Sequence, residues 1–128
     1  MREMDAETLA FFDGRTGLLP LYAQLEDHLY QAFPDTKKKV CKTQISFSNR
    51  YVYACVSFLR VRKRAELPAS YFVLTLGLPC ALQSDRVAAK AEAYPGRWTT
   101  HVPVGRPEDL DGELLGWIRE AYSFSANK

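Results

Sequence analysis

The sequence predicts an α+β domain, with a mostly antiparallel sheet of about four to five strands and N-terminal and C-terminal helices packed on one face. Three observations carry this. Apolar residues recur with helical spacing near both ends of the chain. Between them the pattern changes to an alternation of period two. Turn residues such as Ser48-Asn49-Arg50 and Pro95-Gly96 punctuate that middle region at hairpin intervals.

The elements follow in order. Asp5 reads as an N-cap, and Leu9, Phe11 and Phe12 form a short helix that Asp13-Gly14 ends. A second helix starts near Thr16 or Gly17. Leu18, Leu21, Tyr22, Leu25, Leu29 and Ala32 make its stripe, Pro20 falls in its first turn, and Phe33-Pro34 stops it. Lys42–Phe47 alternates as a half-buried strand. Asn49 reads as the positive-φ residue of a hairpin turn into a second strand, Tyr51–Val61. In that strand Val52, Ala54, Val56 and Phe58 share one face, and Tyr51, Tyr53, Cys55 and Ser57 the other. Residues 62–69 form a charged loop, and Ser70–Leu76 a third strand closed by Gly77 and Pro79. The alanines of residues 83–94 suit a helix. Trp98–Val104 is a strand. Pro107 and Asp111 announce a last helix with the stripe Leu114, Trp117, Ile118, Ala121 and Tyr122.

The chain of 128 residues fits one domain, spanning 1–128, with no linker long enough to divide it. No apolar run reaches membrane-helix length, and acids follow the first residues where a signal peptide places its apolar core. The expected location is the cytoplasm. Cys41, Cys55 and Cys80 are odd in number and lack metal-ligand spacing, so neither a disulfide framework nor a zinc site is expected. Cys41 and Cys55 read as small core residues, and Cys80 as an exposed loop thiol. The net charge is uneven: −5 over residues 1–36, +9 over 37–64 and −2 over 65–128. A 28-residue stretch without a carboxylate attracts anions, or guards a strand edge with lysine.

Phosphate-loop, dinucleotide, zinc-protease and nucleophile-elbow motifs are absent. His28 sits beside the second helix's stripe, as a boundary residue does. His101 on the last strand is the one candidate base, with a Cys55–His101 pair as the arrangement to look for. Glu108, Asp109, Asp111 and Glu113 lack a calcium-loop pattern and suit a helix start. The chain therefore reads as non-catalytic, with no cofactor and no metal. Lys42, Arg50, Arg60, Arg62 and Arg97, beside Tyr51, Tyr53 and Trp98, offer charge with stacking surfaces, the combination that holds nucleotides or single strands.

Three phrases carry a family resemblance. They are Lys42-Thr43-Gln44-Ile45-Ser46-Phe47-Ser48-Asn49-Arg50, Pro95-Gly96-Arg97-Trp98-Thr99-Thr100-His101-Val102, and Glu113 to Tyr122. Together they resemble a bacterial domain-of-unknown-function family, DUF family 5655, from about Phe11 to Tyr122. The resemblance implies a small α+β domain with an edge strand in 83–94. It also implies a nucleic-acid context, because similar domains follow nuclease-like domains in larger chains. In the family it resembles, the second phrase often carries two adjacent histidines, where this chain has Thr100 and His101.

The expected function is a binding module that holds an anionic ligand, a nucleotide or a nucleic acid, on a polar sheet face. Lys42, Gln44, Arg50, Tyr53, Arg97, Trp98 and His101 are its expected contacts. The alternative is a protein-interaction or homo-oligomerisation domain, a homodimer among its forms, that buries Tyr51, Tyr53 and Trp98.

Overall fold

The computed structural model describes residues 5–58, 71–84 and 86–127. Its helices are α1 (Ala6–Phe11), α2 (Leu19–Ala32) and α3 (Gly112–Ala126). Its strands are β1 (Lys37–Val40), β2 (Gln44–Ser48), β3 (Val52–Ser57), β4 (Phe72–Leu78), β5 (Ala89–Tyr94) and β6 (Arg97–Val104). The charged loop expected at 62–69, with Arg60, Arg62 and Ser70, lies outside the described residues.

The helix ends follow local chemistry. The Asp5 carboxylate accepts the Thr8 N–H at 2.8 Å and caps α1. A single 3₁₀ turn, Thr16–Leu18, leads into α2 and leaves Pro20 in the first turn, where its missing N–H is not needed. Asp111 caps α3 by accepting the Leu114 N–H at 3.0 Å. The α2 stripe buries Leu21, Tyr22, Leu25 and Leu29, and α3 buries Leu114, Ile118 and Ala121. Fully burying each such leucine contributes ~1.5–3 kcal/mol.

All strand pairs are antiparallel, in the order β1-β2-β3-β4-β6-β5. The sheet has six strands, against the four to five expected. The helices meet one face. Ile45, Phe47, Ala54, Val56, Phe72, Leu74, Leu76, Leu78, Val102 and Val104 form a single core with α2 and α3. β4 runs on through Gly77 to Leu78, because Gly77 pairs with Thr99 and Leu78 with Trp98. Residues 89–94 are an edge strand rather than a helix, since their backbone pairs with β6.

The additional strand is β1, whose Lys-Lys-Lys-Val sequence has no strand alternation. Lys38 stands opposite Phe47 and so points to the helix side. Its ammonium meets Glu26 Oε1 at 2.5 Å, bonds Thr8 Oγ1 at 2.5 Å and lies 3.7 Å from Asp5 Oδ2. It also sits 5.7 Å from the Tyr22 ring centre. The charge is tolerable there only because α1 and α2 bring it partners.

The β2–β3 hairpin departs from expectation in two ways. Asn49 does not adopt positive φ; among the described residues only Gly14 and Gly96 do. Its side chain makes the turn instead. Oδ1 accepts the Arg50 N–H at 2.6 Å, and Nδ2 donates to the Tyr122 carbonyl of α3 at 2.9 Å. The register also shifts between Phe47 and Ser48. With that irregularity Tyr53 lies among the helix-side core rings, away from Cys55 and Ser57.

Candidate functional site

Among the described residues no helix packs on the other face of the sheet, whose polar row is set by register. Lys39 pairs with Ser46, Ser46 with Cys55, Cys55 with Thr75, Thr75 with His101, and His101 with Ala89. Opposed residues of antiparallel strands point the same way, so one row crosses all six strands. The row beside it is Gln44, Ser57, Val73 and Pro103. Neither row carries a carboxylate.

The row's side chains bond to one another. Thr75 Oγ1 lies 2.8 Å from His101 Nδ1. Gln44 Nε2 donates to Ser46 Oγ at 3.1 Å, and the Cys55 thiol donates to the same oxygen at 3.8 Å. Cys55, Thr75 and His101 are half-buried, while Ser46 and Val73 are buried. Burial lowers the His101 pKa, so the ring is neutral near pH 7. Burial raises the Cys55 pKa, so the sulfur is a thiol. Cys55 and His101 are two strands apart, about 10 Å, with Thr75 between them. They do not form the dyad that nucleophilic catalysis needs.

Three of the seven expected contacts, Gln44, Arg97 and His101, stand in the register of the face away from the helices, but apart. Gln44 and His101 are separated by three strand spacings and two residues, about 16 Å, and Arg97 precedes His101 by four residues of β6, about 13 Å. Lys42 is exposed in the β1–β2 turn, beyond the Gln44 end of the sheet. Arg50 is exposed at the opposite end of β2, 5.8 Å from the Tyr51 ring centre. Arg97 is exposed at the start of β6. Trp98 stands opposite Leu78 and Glu92, in helix-side register and half-buried. Tyr53 is 1% exposed. Its hydroxyl bonds Thr36 Oγ1 at 2.9 Å, its ring meets Phe33 and Tyr122 edge-on, and burial pushes its pKa up to about 12. The expected gathering of Lys42, Tyr53 and Trp98 with the arginines is therefore corrected. A strand turns alternate residues to opposite faces, and Lys42 lies at the far end of β2 from Arg50. Arg50 and Arg97, by contrast, lie at the same end of the sheet, two strands apart, and Arg60 and Arg62 lie outside the described residues.

Positions 100 and 101 show the same rule. Thr100 is fully buried on the helix side with an unpartnered Oγ1, while His101 faces away. Adjacent side chains there cannot grip one ion together. Among the described residues no group of three His, Cys, Asp or Glu could hold a metal. Nor, among them, is any helix long and apolar enough to cross a membrane.

Periodicity could not reveal the Lys38 cluster. Asp5, Glu7, Glu26, Tyr30, Lys38, Lys39 and Val40 line a cleft of about 440 Å³ beside it. Lys38 spends its donors on Glu26, Thr8 and Asp5, which makes it a tether between β1 and the first two helices. A weak signal existed in the sequence. Glu26 lies one residue from Leu25, against the apolar stripe, where an acid needs a partner.

A family model described as a domain of unknown function (DUF5655) matches residues 9–125. No curated protein and no solved structure matches the chain.

Proposed function

Because the chain belongs to the DUF5655 family and has a sheet face on which the described residues place no helix and no carboxylate, we propose that it is a non-catalytic binding module for a small anionic ligand. The supporting observation is the in-register row from Lys39 through Ser46, Cys55 and Thr75 to His101. With Cys55 donating to Ser46 Oγ and Thr75 bonded to His101 Nδ1, the Ser46 hydroxyl and the Thr75–His101 pair each keep a polar hydrogen there, with no carboxylate among the described residues of the row. Lys39 supplies a cation at the edge, and Gln44 begins the neighbouring row. A phosphate-sized group fits this chemistry. A nucleic-acid strand fits it less well, because Tyr53 and Trp98 lie off this face and give bases no stacking platform.

The test is calorimetry at low and raised salt with inorganic phosphate, a nucleoside monophosphate and a short single-stranded oligonucleotide. The expected result is binding of a phosphate-bearing small molecule that weakens about tenfold in Lys39→Glu and in Thr75→Val. No binding of any probe at low salt overturns the proposal, as does binding that both variants leave unchanged. Tight, salt-dependent binding of the oligonucleotide alone replaces the small ligand with a nucleic acid.

A further inference from the structure

We propose that β5 is a self-pairing edge, through which two copies of the chain join antiparallel and continue the sheet across a two-fold axis. Among the described residues the sheet has two edges, β1 and β5, and they differ in kind. On β1, Lys37 and Lys39 are exposed and flank Lys38. Self-pairing there sets lysine against lysine, which guards the edge. β5 has no such guard. Ala91, Lys90 and Glu92 are exposed, and the two charges are opposite.

Symmetry narrows the pairing. A two-fold antiparallel pair has its axis normal to the sheet, so residues of the same face oppose each other. Lys90 pairs with Thr100 and Glu92 with Trp98, so both stand on the helix-side register. An axis centred on Lys90 opposes two lysines, and one centred on Glu92 opposes two glutamates. An axis centred on Ala91 sets Lys90 against the partner's Glu92, and does so twice. Charge therefore selects one register among the three central ones. The helices leave room for it. α3 packs over β3 and β4, and α1 lies beside β1, the far edge.

Lys90 now donates to the Leu82 carbonyl at 2.8 Å, and Glu92 accepts the Gly96 N–H at 3.2 Å. Both charges are exposed and can turn to a partner.

The experiment is sedimentation of the full chain over concentrations rising to its solubility limit, with folding of each variant checked by circular dichroism. The expected result is a concentration-dependent dimer. Lys90→Glu raises its dissociation constant about tenfold, Glu92→Lys does the same, and the two together restore it. The double variant also lacks both intrachain bonds, so its recovery separates pairing from their loss. A monomer at every concentration overturns the proposal. So does a dimer indifferent to Lys90→Glu, or a double variant as weak as the single ones.

Discussion

Asn49 Oδ1 and Ser125 Oγ are joined by a hydrogen bond of 2.6 Å across 76 residues of sequence. Ser125 is 1% exposed; its Oγ also lies 2.9 Å from the Tyr51 carbonyl, which competes with Asn49 Oδ1 for the single hydroxyl hydrogen, and accepts the Tyr51 N–H at 3.2 Å. The β2–β3 turn is thus fastened to the last turns of α3. Asn49→Ala is expected to destabilise the chain by about 2 kcal/mol in urea denaturation. Asn49→Gly is expected to do no better, whereas a turn that needed positive φ would accept glycine. With Ser125→Ala added, the loss falls short of the sum, because both side chains serve one network.

Lys38 and Glu26 test a buried charge. Their side chains are 10% and 4% exposed. Glu26→Ala strands the ammonium and is expected to destabilise by roughly 3 kcal/mol. Lys38→Met combined with Glu26→Leu removes both charges and is expected to recover most of that loss. Denaturant midpoints of the three proteins decide the matter. Equal losses in the single and double variants would mean that the pair itself, not the stranded charge, sets the stability.

Tyr53 separates a core role from a ligand role. Tyr53→Phe keeps the ring among Phe33 and Tyr122 but leaves the buried Thr36 hydroxyl without this partner. The expected loss is about 1 kcal/mol of stability, with phosphate affinity unchanged by calorimetry. A change in affinity at unchanged stability would return Tyr53 to the binding surface.

Two histidines set an acid dependence. Burial holds folded His101 below its ordinary value of 6.5. Burial and the Arg119 charge do the same to His28. A depressed folded value means that the unfolded chain takes up these protons first as pH falls. Stability from both groups is therefore full above 6.5 and drains as pH drops from there through the folded values. Melting temperatures from roughly pH 8 to pH 5 are expected to fall on the acid side, and less steeply in His101→Gln. The His28→Gln, His101→Gln double variant should be the flattest. A steeper acid fall in His101→Gln would contradict the sign.

The sequence by itself determined the helices, the class and most of the strands, because these rest on local spacing. The α2 stripe from Leu18 to Leu29 and the alternation of Gln44, Ser46 and their neighbours can be read without knowing what packs against them. Asp5 and Asp111 announce caps because the N–H groups they bond lie three residues on. Tertiary structure alone decided β1, the place of Tyr53, the work of Asn49 and the separation of Lys42 from Arg50 and Arg97. Lys38 can be buried only where Glu26, Thr8 and Asp5 gather around it. Tyr53 sits in the core beside a register shift that no alternation pattern contains. Which strands are neighbours, and so which polar residues share a row, is a long-range property. The order β4-β6-β5 placed His101 beside Thr75 and left Lys90 and Glu92 on an open edge.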